Sequence, residues 1–171
     1  MTYSIRRTIR AFAAPRHKLA CPRSIWLPAL DELARRGGGR RESGAFLLGR
    51  VVGDRREVRR VVYYDDLDPH CLDHGIITFD GSGFAKLWKI CRESRLDVVA
   101  DVHTHKGRAR QSPTDRDNPM MAHPGHIAII LPNYARGRPA AQEIGLYIYK
   151  GSFTWDDCFG NEHILYRGRW A

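Results

Sequence analysis

The stretch Asp101-Val-His-Thr-His-Lys-Gly-Arg-Ala-Arg-Gln-Ser-Pro-Thr-Asp115 holds two histidines, a serine and two aspartates in a short span. The residues before it, 96–102, are mostly apolar and β-branched, which predicts a buried strand that ends at the histidines. Side chains alternate along a strand, so His103 and His105 are expected on the same side. That arrangement suits two imidazoles that bind one metal ion.

A short helix is predicted after the loop that follows the histidines. Ser112 is a favoured N-cap residue, and Pro113 is favoured at the first helical position. Asp115 then lies in the first turn, where it can face back toward the strand end. Two imidazoles and one carboxylate leave a fourth tetrahedral position free for water, which is typical of a catalytic zinc site. A capping box would explain Ser112 and Asp115 alone, but it does not account for the two histidines.

These residues resemble the signature of the JAB/MPN metalloproteases, the JAMM zinc isopeptidases. That signature is a glutamate, then His-Ser/Thr-His, seven residues, and Ser-x-x-Asp. Glu42 supplies the glutamate, in Glu42-Ser-Gly-Ala-Phe-Leu-Leu-Gly49, and the similarity runs from about residue 24 to about 150. The chain differs at two places. Six residues separate His105 from Ser112, which Gly107 is expected to absorb, and Lys106 stands where proline is usual.

The resemblance implies one catalytic zinc ion held by His103, His105 and Asp115. It implies that Glu42 acts as general base and then general acid, and that Ser112 donates a hydrogen bond to the oxyanion. The expected activity is that of a zinc-dependent, deubiquitinase-like isopeptidase or metallopeptidase. It would cleave after the C-terminal glycine of a ubiquitin-like protein, by deconjugation or by precursor processing. The compact form resembles prokaryotic members, which often accompany E1-like and E2-like operon partners.

The fold class expected from the order of elements is α/β (α+β), a mixed β-sheet flanked by helices. The resemblance implies JAB/MPN layering, which is similar to that of cytidine deaminases. A chain of 171 residues with 43% apolar and 27% charged residues fits one globular domain over residues 1–171. No apolar run approaches the ~20 residues that span a bilayer, and no signal peptide is recognisable, so no membrane association and a cytoplasmic location are expected.

The cysteines and the remaining histidines suggest no second metal site. Cys21, Cys71, Cys91 and Cys158 form no C-x-x-C pair, so neither a zinc knuckle nor a disulfide framework is indicated. Pro69 and Gly75 bracket His70 and His74, so these two are interpreted as loop residues. His123 and His126 flank a turn and are interpreted as structural residues or as neighbours of the metal ligands.

The periodicity of the apolar residues, and the glycine and proline residues that interrupt it, predict the other helices and strands. In chain order they are an edge strand over 3–12, a helix capped by Ser24 and ended by Gly37–Gly39, a hairpin of Gly44–Val52 and Glu57–Tyr64, a polar crossover with a short strand over 65–79, a helix over Ser82–Arg95, a helix over Thr114–Ala122, a strand over His126–Leu131, a hairpin of 143–150 and 152–156, and an edge strand in the tail from Ile164 to Ala171.

Three other functions were weighed against the peptidase. The net charge of +9, with Lys106, Arg108, Arg110 and Arg116 around the motif, would suit nucleic acid or an acidic protein partner. The aromatic residues typical of single-strand binders are missing there, which favours the acidic face of a ubiquitin-like substrate. A catalytically silent MPN scaffold is the second alternative, but the set of ligands and Glu42 is complete. A zinc base deaminase would need His-x-Glu and Pro-Cys-x-x-Cys, which the chain lacks.

Overall fold

The fold is that of a computed structural model, which describes residues 19–53, 55–74, 77–79, 81–158 and, for the backbone alone, 164–167. The strand predicted over 3–12 lies outside these residues. In the described part of the chain, no helix is both long and apolar enough to cross a membrane.

The centre of the fold is an eight-stranded mixed sheet with the order β7-β6-β5-β4-β2-β3-β1-β8. Its strands are β1 (Leu19–Pro22), β2 (Gly44–Val52), β3 (Arg55–Tyr63), β4 (Asp97–Thr104), β5 (Ile127–Leu131), β6 (Gly145–Gly151), β7 (Thr154–Asp157) and β8 (Ile164–Arg167). The pairs β4–β5, β1–β3 and β1–β8 are parallel, and the other neighbours are antiparallel. The prediction of a mixed sheet is confirmed.

Helices cover both faces of this sheet. They are α1 (Arg23–Gly37), α2 (Tyr64–Leu67), α3 (Gly81–Ser94) and α4 (Pro113–Asp117), with 3-10 turns at Asn133–Ala135 and Ala141–Glu143. Leu47 belongs to the buried cluster that contains Leu30 of α1, whereas its neighbour Leu48 belongs to the cluster that contains Leu87 of α3. Successive side chains of a strand point to opposite faces, so α1 and α3 lie on opposite sides of β2.

The start of α1 differs from the prediction. The helix begins at Arg23, and Pro22 rather than Ser24 occupies the N-cap position, without a side-chain cap hydrogen bond. The fixed φ of proline and its missing N–H group suit this position, because the chain passes from β1 directly into the helix. The face of α1 that packs on the sheet also includes Trp26 and Ala29, which are buried.

Two other predictions were wrong in detail. The helix predicted to reach Ala122 ends at Asp117, because Asn118 precedes Pro119 and a residue before proline is disfavoured in helical conformation. Residues 77–79 form no strand. Instead the ring of Phe79 packs against the ring of Phe46, with centroids 5.5 Å apart.

The helix predicted over Ser82–Arg95 is present as α3, but the placement of one apolar residue differs. Trp88 was expected on the buried side, yet 39% of its surface is exposed. It stacks on Phe84 at a centroid distance of 6.3 Å. Both predicted hairpins, β2–β3 and β6–β7, are present, and β8 confirms a strand in the tail. The strand β1 was not predicted.

The loop between β4 and α4 packs against β6 at a glycine. A Cβ atom on Gly145 would lie 2.1 Å from the carbonyl oxygen of Ala109, whereas a Cβ on Gly107 would meet nothing within 4 Å. Gly107 also has no left-handed backbone conformation, so the shorter loop does not depend on the freedom of a glycine there.

We therefore expect Gly145→Ala to lower the free energy of unfolding by about 1–3 kcal/mol, because the added methyl group collides with backbone rather than with a flexible side chain. Gly107→Ala is the matched control and should change it by less than about 0.5 kcal/mol. Urea unfolding of both variants tests this. Equal stability of the two variants would contradict the close packing of the loop on β6.

Candidate metal centre

The end of β4 brings the two histidines together as predicted. His103 lies in the sheet between Gly44 of β2 and Ile130 of β5. The ring centroids of His103 and His105 are 4.9 Å apart, and their Nε2 atoms are 3.0 Å apart. The alternation of a strand therefore places both imidazoles on one side, with their Nε2 atoms converging.

The start of α4 supplies the carboxylate. The Asp115 backbone N–H donates to Ser112 Oγ at 3.2 Å, and the Ser112 backbone N–H donates to Asp115 Oδ2 at 2.6 Å, so the capping box is formed. The same carboxylate lies 3.5 Å from Nε2 of His103 and 3.3 Å from Nε2 of His105. The cap and the metal-ligand geometry are thus compatible. These three side chains form a group that could hold a metal ion.

Hydrogen bonds fix both backbone groups of His105. Its N–H donates to the Leu131 carbonyl at 2.9 Å, and its carbonyl accepts the Tyr134 N–H at 2.8 Å. Tyr134 lies in a short left-handed turn, with a φ of 55°. Further along the loop, the Tyr147 hydroxyl donates to the Ala109 carbonyl at 3.0 Å. The loop between the ligands is therefore fixed to β5 and β6.

The ligand side chains perturb one another's protonation. Burial opposes ionisation of Asp115, but hydrogen bonds from His103 and His105 hold the pKa of its carboxyl well below the usual range. Burial would also lower the pKa of His103, yet the carboxylates of Asp101 and Asp115 raise it to about 10. Without a metal ion, an imidazolium of His103 therefore balances the carboxylate of Asp115.

The antiparallel partner strand brings Glu42 to the same place. Next to it, the buried Ser43 donates its backbone N–H to Thr104 Oγ1 at 3.0 Å, and the Thr104 N–H donates to the Ser43 carbonyl at 2.9 Å. Burial raises the pKa of the Glu42 carboxyl, and the Asp115 carboxylate raises it further, whereas His105 and His103 lower it. Glu42 is thus a half-buried carboxyl group within electrostatic reach of the ligands.

A pocket of about 310 Å³ opens over these residues, a size typical of small-ligand and substrate clefts. It brings together the predicted site residues Glu42, His103, Ser112 and Asp115. Its other lining residues are largely apolar or carry amides, and they are Ile77, Asp101, Gln111, Thr114, Asn118, Pro119, Met120, Ala128 and Trp155. The pocket therefore combines charged and polar groups with apolar side chains.

A buried carboxylate, which was not among the predicted site residues, lies behind His103. Asp101 is 2% exposed, and its Oδ2 lies 3.9 Å from Nδ1 of His103 and accepts the Tyr64 hydroxyl at 3.2 Å. Its Oδ1 lies 2.5 Å from Nε2 of His126, which is 4% exposed. Burial opposes ionisation of Asp101, but His103 and His126 hold its pKa at about 2. An acidic residue in an otherwise apolar strand was the available signal.

Three histidines take no part in this group. His70, His74 and His123 are exposed, and His70 pairs with Asp73 at 2.9 Å. Two further pocket residues also escaped prediction. The Oε1 atom of Gln111 is buried and accepts no hydrogen bond within the described chain, and Trp155 donates its ring N–H to the Arg116 carbonyl at 3.2 Å.

No protein-family model matches the sequence. The fold is similar to the solution structure of a protein from Desulfitobacterium hafniense, with a TM-score of 0.65 and 21% identity over 88% of this chain and 94% of that one. It is also similar to the solution structure of a protein from Salinibacter ruber, with a TM-score of 0.51 and 19% identity over 82% of this chain and 88% of that one. At these identities the likeness shows the fold alone.

Asp101→Asn should weaken metal binding by about 10–100-fold, because a carboxylate behind a histidine ligand orients the ring and raises its basicity. The matched control is Asp73→Asn, which removes an exposed carboxylate from beside His70. Competition with a chromophoric chelator measures the affinity of each variant for Zn²⁺ and Co²⁺. Unchanged affinity in Asp101→Asn would show that this carboxylate does not support the ligand.

The stability of the metal-free protein should depend on the ionisation of His103. Its pKa in the fold is about 10, above the ordinary value of 6.5, so its contribution is fully present below pH 6.5 and is lost as the pH rises toward 10. We expect the difference in unfolding free energy between the wild type and His103→Gln to shrink over this interval. Urea unfolding of both proteins with a chelator measures it. A difference that is constant or grows with pH would contradict the raised pKa.

Proposed function

We propose that this protein is a zinc-dependent metallopeptidase of the JAB/MPN (JAMM) kind that cleaves after the C-terminal glycine of a ubiquitin-like protein. The observation that carries the proposal is the convergence of Glu42, Ser112, His103 and Asp115 at one pocket. His105 lies beside His103 and Asp115 and completes a possible ligand set with them. These residue types follow the order of the JAMM signature. A mixed sheet with helices on both faces is compatible with MPN layering.

The ligand set fits zinc. Neighbouring ligand atoms of a tetrahedral zinc ion lie about 3.3 Å apart, since its bonds to nitrogen and oxygen are about 2.0–2.1 Å long. The Nε2 atoms of His103 and His105 are 3.0 Å apart, and they lie 3.5 Å from Oδ1 and 3.3 Å from Oδ2 of Asp115, respectively. Imidazole and carboxylate ligands without a thiolate favour zinc over soft ions such as Cu(I). We propose that one zinc ion binds these three residues and serves catalysis.

When bound there, zinc would supply a Lewis acid that polarises the scissile carbonyl and lowers the pKa of water. Glu42 is the proposed proton carrier. Its carboxylate accepts a proton from the attacking water and then returns it to the leaving amine, which is general base followed by general acid catalysis. Burial raises its pKa, and this brings the group closer to the range in which it exchanges protons readily near neutral pH.

Ser112 is the proposed donor to the carbonyl oxygen. Its Oγ atom accepts the Asp115 N–H at 3.2 Å, and this leaves its own hydroxyl hydrogen available to the pocket. The carbonyl oxygen gains negative charge as water adds, so this hydrogen bond is strongest in the transition state. Because water attacks directly, no covalent acyl-enzyme is formed.

The substrate class rests on the resemblance, and the pocket is compatible with it. Ile77, Met120 and Trp155 provide apolar lining beside the polar groups, as a narrow glycine-ending chain would require. We propose a ubiquitin-like conjugate or precursor as substrate, with E1-like and E2-like enzymes as operon partners. A cytoplasmic location follows from that proposal.

Hydrolysis of a ubiquitin-like protein fused through its C-terminal glycine to a fluorescent reporter tests this function. We expect Glu42→Gln to lower kcat by about 10²–10⁴-fold while about one zinc ion stays bound, because the residue transfers protons and is not a ligand. Glu93→Gln, an exposed substitution on α3, is the matched control and should leave both activity and zinc content unchanged.

Other outcomes of the same experiment discriminate among the alternatives. Loss of zinc from Glu42→Gln would make Glu42 a ligand rather than a base. Zinc in the wild type without cleavage of any ubiquitin-like fusion would contradict the proposed substrate. Absence of both zinc and cleavage in the wild type would favour the scaffold.

A further inference from the structure

Exposed basic side chains surround the pocket on two sides. We call this set the basic rim, and it consists of Arg41, Lys106, Arg108, Arg110 and Arg116. Arg41 lies on the β2 side of the pocket, and the others lie on the loop that joins the ligands and on α4.

The chain itself fixes the rim next to the site. Arg41 immediately precedes Glu42, and Arg110 immediately precedes Gln111, which lines the pocket. Lys106 and Arg116 immediately follow the proposed ligands His105 and Asp115. Consecutive Cα atoms are about 3.8 Å apart, so the backbones of Arg41, Lys106, Arg110 and Arg116 lie next to those of site residues. Arg108 lies between Lys106 and Arg110 on the same loop.

The rim charges are not neutralised within the described chain. None of the five rim residues forms an ion pair there, whereas other cations do. Arg36, for example, binds Asp65 at 2.6 Å, and Arg138 pairs with Asp31 at 2.5 Å. The rim also has exposed acidic neighbours, namely Asp117, which follows Arg116 in sequence, and Asp157, which acts on the Tyr147 hydroxyl together with Arg110 and Arg116. Within the part of the chain that the structure describes, the rim therefore places five cations without ion-pair partners beside the pocket, and they are part of the net charge of +9.

Positive charge at the pocket mouth favours some substrate segments over others. Clustered like charges beside a low-dielectric cleft attract the opposite charge and repel their own, and the effect falls as salt rises. A segment with arginine or lysine residues next to the bond in the pocket would be disfavoured. A segment with aspartate or glutamate there would be favoured.

We propose that the rim binds acidic side chains of the substrate polypeptide that lie within a few residues of the bond at the pocket. The identification of this polypeptide as a substrate rests on the proposed function. The rim's preference for an acidic segment does not, because binding can be measured without cleavage.

The pocket favours a polypeptide over a nucleic acid as the acidic partner. The buried Oε1 atom of Gln111 accepts no hydrogen bond within the described chain, and a buried acceptor is costly unless a donor reaches it. A peptide carries an N–H donor at almost every residue of its backbone, whereas a nucleic acid carries donors on its bases and only acceptors on its phosphodiester backbone. An acidic peptide therefore satisfies both the rim and Gln111.

The experiment uses the zinc-loaded Glu42→Gln protein, which should bind without cleaving. Fluorescent peptides of one sequence carry three aspartates, three asparagines or three lysines around a central Gly-Gly, and a single-stranded oligonucleotide matches the charge of the acidic peptide. We expect the acidic peptide to bind about tenfold more tightly than the neutral one at low salt, as two or three exposed charge pairs allow. The difference should shrink in high salt.

Charge-reversal variants test whether the rim is the surface that binds the acidic peptide. Arg41→Glu with Arg110→Glu should abolish the preference for the acidic peptide, and neither position adjoins a proposed metal ligand. Arg50→Glu with Arg60→Glu is the matched control, because it changes the net charge equally at exposed positions of β2 and β3. Arg50 lies about 20 Å along β2 from Gly44, so the preference should remain. Zinc content is measured for every variant.

Three results would overturn the inference. They are equal affinity for acidic and neutral peptides, a preference that survives in the Arg41/Arg110 variant, and tighter binding of the oligonucleotide than of the acidic peptide. A separate assay of wild-type cleavage keeps the two proposals apart. Cleavage of the fusion without a charge preference in peptide binding would contradict the proposal for the rim and support the proposed peptidase. A charge preference without cleavage would support the rim and contradict the peptidase.

Discussion

The antiparallel pairing of β2 with β4 is the constraint on which the candidate site depends. It sets Gly44 opposite His103 and ties Ser43 to Thr104 by two hydrogen bonds, of 3.0 and 2.9 Å. Glu42, which is distant in sequence, thereby reaches the metal-binding group. A shift of this register by one residue would turn His103 to the opposite face, so the register decides whether the site exists.

A close contact at Gly44 links the pairing of β2 and β4 to the buried side chains around Asp101. A Cβ on Gly44 would lie 2.3 Å from the ring of Tyr64, so the glycine makes room for a tyrosine whose hydroxyl reaches Asp101. The parallel pairing of β4 with β5 adds His126, which stands just before β5 and binds the same carboxylate. Burying a carboxylate is costly, and these partners compensate for it. The result is a candidate metal ligand, His103, whose Nδ1 atom lies 3.9 Å from a buried carboxylate.

Local patterns predicted the elements that build the site, because alternation and capping are properties of neighbouring residues. The strand before His103, the helix start at Ser112-Pro113 and the convergence of the two histidines with Asp115 all followed from such patterns. The roles of Asp101 and Gln111 did not, since they depend on side chains from elements far apart in sequence. The strand β1 also escaped prediction, because its pairing with β3 and β8 is not local.

The central claim is that His103, His105 and Asp115 together bind zinc. X-ray absorption at the zinc edge of the purified, zinc-loaded protein tests it most directly. We expect four light ligands at about 2.0–2.1 Å, with the scattering of two imidazoles and no sulfur at about 2.3 Å. A sulfur ligand, or an unchanged spectrum after His103→Ala with His105→Ala, would place the ion elsewhere and contradict the account.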